Sequence, residues 1–177
     1  MGIDPGLNAT GYGVIAVSSD RMQIVSAGAV HPPQRLPIGR RLRCLYDGLE
    51  QAITTHQPEL VILESLYTHH QYLTTAALMA HARGMACLLS AQHGLELVEY
   101  LPTRIKKALT GYGSASKEQV ARAVGMWLGV DSTAWSSDAT DALALAIAHA
   151  HINSASRNLL AQGVSYRKKK FSEGKFL

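Results

Sequence analysis

The chain has too few cysteines for a disulfide scaffold. Its 177 residues hold two, Cys44 and Cys87, far apart and without metal-ligand spacing. Each falls within a predicted helix, so the pair reads as buried free thiols. Eight histidines form no H-x-x-x-H pattern, which removes the sequence basis for a histidine metal cage. No apolar run approaches the ~20 residues of a spanning helix. A basic-then-apolar leader is also missing, so a soluble, cytoplasmic protein is expected. An excess of one charge is absent from the body as well. The net charge of +4 comes from the end of the chain, where Arg167, Lys168, Lys169, Lys170 and Lys175 face one acid, Glu173. Residues 1–166 carry twelve basic and twelve acidic side chains. A nucleic-acid role for the body therefore rests on where its charges sit.

What is present reads as one α/β domain with an apolar fraction of 47%. The chain opens inside a short strand, Met1 to Asp4. Pro5 stops that strand, and glycines free the backbone to turn. Strands are expected at about 12–18 and 22–31, joined as a hairpin. After a proline-rich connector, Ile38, Leu42, Leu45, Leu49 and Ile53 form the apolar stripe of a helix, with Arg40, Arg41 and Arg43 on its solvated side. Leu60 to Leu63 suit a strand buried on both faces, closed by Glu64. A polar, aromatic loop with Tyr67, His69 and His70 leads into a helix over 73–92. That helix is dense in small residues, which suits close packing or a dimer face. A strand at 95–101 and a short helix beginning at Pro102 follow. Ser116 and Gln119 have capping-box spacing for the next helix. Ser137 is the expected cap of the last helix, Asp138 to about Ile152, and residues 157–177 form a basic, unstructured tail.

Four acids stand out. Asp4 and Glu64 end apolar strands. Asp138 and Asp141 are i and i+3, on one face of the last helix. Taken singly, Asp4 reads equally well as a turn cap, and Asp138 suits the positive end of the helix dipole. Neither explanation serves Asp141, which enters the run Ala142-Leu143-Ala144-Leu145-Ala146-Ile147. A carboxylate there is costly unless paired or metal-bound. Four converging carboxylates repel one another. Two hard divalent cations about 3.5–4 Å apart remove that penalty and create a site for in-line phosphoryl chemistry. Oxygen-only ligands point to Mg²⁺ or Mn²⁺, and so to a phosphodiester substrate.

The pattern resembles the RuvC family of crossover-junction endodeoxyribonucleases. Gly2-Ile3-Asp4-Pro5-Gly6 with Thr10-Gly11-Tyr12-Gly13-Val14 is similar to the family's opening motif. Val61-Ile62-Leu63-Glu64 resembles its second acidic motif. Gly111-Tyr112-Gly113-Ser114-Ala115-Ser116-Lys117 and Asp138-Ala139-Thr140-Asp141-Ala142-Leu143-Ala144 resemble two further segments, and the likeness runs over about residues 1–153. It implies a ribonuclease H-like fold, a five-stranded mixed sheet flanked by helices, with the nuclease domain at 1–156. It implies resolution of four-way (Holliday) DNA junctions in recombination and repair by symmetric, metal-dependent hydrolysis. Asp4, Glu64, Asp138 and Asp141 then carry over as the catalytic and metal-binding set for two Mg²⁺ per site, with Mn²⁺ able to substitute. Lys106 and Lys117 match basic positions that face DNA phosphates, and Tyr67 matches an aromatic that touches bases near the crossover. The implied partners are a second copy of the chain and the branch-migration complex RuvA and RuvB. The first strand is shorter than the family's usual one, and the Lys-rich tail has no counterpart in the resemblance.

Two other readings use the same residues. A junction-binding module without cleavage would keep the lysines, but the presence of all four acids argues against it. The Asp4-Pro5-Gly6…Thr10-Gly11 turn also resembles the phosphate loop of the sugar-kinase and actin-like ATPase superfamily. Its members need two large lobes, and this chain has length for one.

Overall fold

The computed structural model describes residues 1–18, 21–65, 73–131 and 133–161. The strands are β1 (Gly2–Asp4), β2 (Thr10–Ser18), β3 (Arg21–Val30), β4 (Leu60–Glu64) and β5 (Glu96–Tyr100). The helices are α1 (Ile38–His56), α2 (Leu73–Gln92), α3 (Pro102–Thr110), α4 (Lys117–Leu128) and α5 (Ser137–Ala161). One sheet runs in the order β3-β2-β1-β4-β5. β1 pairs antiparallel with β2, and β2 antiparallel with β3. β1 and β4, and then β4 and β5, pair in parallel. This is the five-stranded mixed sheet expected from the sequence.

Alternation along the strands sorts the core into two faces. Ile3, Val14, Val61 and Leu63 pack with Leu49, Ile53, Ala86 and Leu89 of α1 and α2. On the other side Ile62 packs with Ile105, Val124, Leu143 and Ile147 of α3, α4 and α5. Val61, Ile62 and Leu63 are at most 2% exposed, so β4 is buried on both faces as its unbroken apolar run requires. α5 is apolar on all sides along Ala142–Ala148, and every residue of that run is buried.

Glycine seats α5 on the sheet. A β-carbon at Gly2 would fall 2.1 Å from the main-chain oxygen of Ala142, and one at Gly11 would fall 2.0 Å from that of Asp138. The turning role expected of the glycines after Pro5 is not what Gly11 performs. Neither Gly2 nor Gly11 has a positive φ; among the described residues the positive-φ glycines are Gly94, Gly111 and Gly129. Gly2 and Gly11, with Gly13, whose β-carbon would fall 2.8 Å from the Leu143 nitrogen, are instead places where a helix backbone touches a strand backbone.

Three local expectations are corrected. The cap of α5 is Ser136 rather than Ser137: its Oγ accepts the Ala139 N–H at 3.3 Å, the N3 bond of a capping serine. α5 also continues to Ala161, past Ile152 and past the residue-157 boundary of the expected tail. Ser154 to Ala161 contain neither glycine nor proline, so nothing in that stretch breaks the helix. Arg41 is not fully solvated: its Nη2 donates to Leu7 O at 2.9 Å and to Asn8 Oδ1 at 2.6 Å. The two cysteines are free and half-buried, and the capping box of Ser116 and Gln119 is formed.

Candidate active site

The sheet brings the first two acids together. β1 and β4 are neighbours with Gly2 opposite Ile62. Two residues on, Asp4 and Glu64 reach the same level at the carboxyl ends of parallel strands. Both lie on the face that Gly2 and Ile62 share with α5. Thr10 ties the turn after Asp4: its Oγ1 donates to Gly6 O at 2.8 Å and accepts the Gly6 N–H at 3.3 Å. α5 then lays its first two turns across these strand ends, with Asp138 and Asp141 projecting beside them.

Asp4, Glu64, Asp141, Lys106 and Lys117 line one cavity of about 250 Å³, whose floor is apolar side chains of α3, α4 and α5. Asp138 opens instead toward a neighbouring cavity, between the Gly6–Ala9 turn, Arg41 and α2. It still belongs to the same electrostatic group. Burial, then the charges of Asp141, Glu64 and Asp138, push the Asp4 carboxyl up to about 6, against the pull of Lys117. Glu64 is raised by burial and by Asp141, and Lys106 opposes that rise. Lys117 is raised chiefly by its hydrogen bond to Asp141, whose Oδ2 lies 2.6 Å from Nζ. Four acids and two lysines thus act on one another from five elements: β1, β4, α3, α4 and α5.

The donor set suits a hard divalent cation. All candidate ligands are carboxylate oxygens, and the raised Asp4 and Glu64 carboxyls mark a surplus of negative charge that a cation would relieve. Among the described residues no three acidic, histidine or cysteine side chains already close into a metal cage. One Asp141 oxygen is held by the Lys117 ammonium, which supplies positive charge at that spot.

The arrangement can be compared with known proteins. The family model for crossover junction endodeoxyribonuclease RuvC matches residues 1–149. The chain belongs to the RuvC family. The RuvC of Rhodopirellula baltica is 40% identical over 147 residues, 83% of each chain. That of Alkaliphilus oremlandii is 38% identical over 151 residues, 85% of this chain and 92% of its own. A solved structure of T. thermophilus RuvC in complex with Holliday junction substrate superposes with a TM-score of 0.80 at 29% identity, covering 88% of this chain and 94% of that one. With RuvC structures as its neighbours, the fold is ribonuclease H-like.

Four of the site residues expected from RuvC-like motifs, the acids, are brought together, and Lys106 and Lys117 stand at the same cavity. Tyr67, His69 and His70 lie outside the described residues. Sequence reasoning passed over Arg83. It is a buried charge within the small-residue helix α2, and the signal that singled out Asp141, a charge inside an apolar run, was there to find it.

Proposed function

We propose that this chain is a Holliday junction resolvase, an endodeoxyribonuclease that cuts four-way DNA junctions during recombination and repair. The observation that carries the reading is the electrostatic coupling of four carboxylates from three distant segments, three of which line one cavity with two lysines. Family membership supports it, and so does the likeness to a RuvC bound to junction substrate.

In this reading Asp4, Glu64, Asp138 and Asp141 hold two Mg²⁺, or Mn²⁺ in their place. When bound, those ions supply the Lewis acidity for in-line phosphodiester hydrolysis. The chain does the rest. The strand ends fix Asp4 and Glu64, the glycine-seated helix fixes Asp138 and Asp141, and the apolar floor limits water. Lys106 and Lys117 draw backbone phosphates toward the acids, and Tyr67 stacks on a base near the crossover. Two copies place two sites on a pseudo-two-fold substrate, for symmetric nicks. α2 is the proposed face between copies, since Leu78 and Leu88 stand exposed on it. The branch-migration proteins RuvA and RuvB are the further partners, and the cytoplasm is the place of action. No helix among the described residues is long and apolar enough to cross a membrane. The nuclease domain reaches to the end of α5 at Ala161, with the basic stretch that follows as an appendage.

The test is cleavage of a synthetic four-way junction beside linear duplex, with Mg²⁺ or Mn²⁺. Paired symmetric nicks in the junction alone are expected. Equal cutting of both would keep the nuclease and remove the resolvase. Tight junction binding without cutting would favour the binding module.

A further inference from the structure

Arg83 lies midway along α2 and is 9% exposed. Taking a guanidinium out of water is costly unless good bonds replace its hydration. Here Nη1 donates to the main-chain carbonyl of Glu64 at 2.6 Å, and Nη2 donates to Glu99 Oε1 on β5. Ala86 and Leu89 of the same helix hold α2 to the sheet by apolar packing alone. Packing therefore does not account for a buried charge at position 83.

The strand ladder does. In the parallel pairing of β1 with β4, the Ile62 N–H donates to Met1 O at 2.8 Å. The one β1–β4 register pair, Gly2 opposite Ile62, sets the phase of that alternation. Two steps on, the Glu64 carbonyl faces the position where the N–H of residue 5 would donate. Residue 5 is proline and has no N–H. Toward β5 the strand end is closed, because the Ser65 N–H donates to Tyr100 O at 2.8 Å. Toward β1 the last carbonyl would be left without a main-chain donor, and the Arg83 side chain supplies one.

We propose that Arg83 is a positioning residue for Glu64. Its guanidinium replaces the donor missing at Pro5, and Glu99 holds that guanidinium in place. The end of β4 then stays in register beside Asp4, and the Glu64 carboxylate is kept on the α5 face. A charge-assisted bond to this half-buried carbonyl is stronger than the amide bond it replaces. The planar fork fixes the β4 end and Glu99 relative to each other at once. This role rests on the reading of Glu64 as a metal-binding acid.

The experiment titrates the full-length protein with Mn²⁺ alone by calorimetry, and measures junction cleavage and binding in EDTA in parallel. Arg83→Met should weaken Mn²⁺ binding and lower kcat by about 10–100-fold, the usual effect of losing a partner that orients a ligand. Junction binding in EDTA should stay within about twofold, because the groups that meet the phosphates are unchanged. Arg83→Lys keeps the charge and one donor but not the fork, so an intermediate loss is expected; it also serves if Arg83→Met fails to fold. Adding Pro5→Ala to either variant returns an N–H at residue 5 and should recover part of the Mn²⁺ affinity. A structural ion pair with Glu99 alone would gain nothing from that change. Wild-type Mn²⁺ affinity in a folded Arg83 variant, or no recovery with Pro5→Ala, would overturn the role. Glu64→Gln is the separate control: if it binds Mn²⁺ like wild type, the reading of Glu64 fails whatever Arg83 does.

Discussion

The Lys117 ammonium lies 2.6 Å from Asp141 Oδ2, bridging the first turn of α4 to the start of α5. Lys117 is exposed, yet its charge acts on Asp4 and Asp138 as well as on Asp141. In the proposed site the lysine would compete with a metal for Asp141 and would be available to a phosphate once displaced. Lys117→Ala should bind Mn²⁺ alone several-fold more tightly and bind junction DNA more weakly. Calorimetry and gel shift, each in the absence of the other ligand, separate the two effects.

Lys106 offers a simpler case, since it lines the cavity without an ion pair to an acid among the described residues. Lys106→Ala should weaken junction binding. Removing one lysine from a phosphate should make the salt dependence shallower, by about 0.9 in the slope of log K against log salt. An unchanged slope would place Lys106 away from the DNA.

Glu64→Gln and Asp141→Asn remove charge at the centre of the acid group with little change in shape. Each should lower cleavage by about 1,000-fold or more, the scale of losing an essential electrostatic group. Binding in EDTA should remain within a few-fold of wild type. Cutting at the wild-type rate by Glu64→Gln would reject the metal-site assignment.

Asp4 carries the pH dependence. Its carboxyl ordinarily titrates at 3.8, and in the folded chain it is pushed up to about 6. Between those values the folded state holds a proton that the unfolded state has lost. The sign follows: without metal, the contribution of this group to stability is greatest below about pH 4 and falls as pH rises to about 6, by on the order of 3 kcal/mol. Asp4→Asn should accordingly raise the melting temperature in EDTA at pH 8 while abolishing cleavage. Activity should run the other way and rise through about pH 6, with the midpoint moving down as Mg²⁺ is increased. Calorimetric scans and pH–rate profiles check the two halves.

Gly11→Ala tests the seat of α5. The added carbon would meet the Asp138 carbonyl at 2.0 Å, backbone against backbone. The expected cost is about 3 kcal/mol or more, the upper end for overpacking, read from denaturant midpoints. Gly39→Ala is the control, because nothing lies within 4 Å of a β-carbon there.

Much of this is legible along the chain because the signals are local. The four acids stand at strand ends or at the start of a helix. The box of Ser116 and Gln119 spans a single turn. What escapes a reading of the sequence depends on partners remote in the chain. Gly11 reads as a turn residue until Asp138 is brought against it. Arg83 reads as one more basic residue on a small-residue helix until Glu64 and Glu99 are placed beneath it. The choice between Ser136 and Ser137 turns on which hydroxyl reaches the Ala139 N–H, and adjacent serines have equal propensity for that role. The end of α5 lies beyond the point where its apolar pattern fades, because a fading pattern is not a stop and no breaker follows Ile152 within the helix.

The glycine seat also governs when the protein becomes dangerous to DNA. Asp138 and Asp141 belong to the last helix of the fold, and they meet Asp4 only when that helix lies directly on β1 and β2. A nascent chain emerging from the ribosome holds Asp4 and Glu64 early, but half the acid group arrives after residue 137 has been made. Domains fold as units during synthesis, so an incomplete chain holds Asp4 and Glu64 without the other half of the acid group. The same holds for any chain that loosens α5. For a Holliday junction resolvase, misfolding and inactivation would then be a single event.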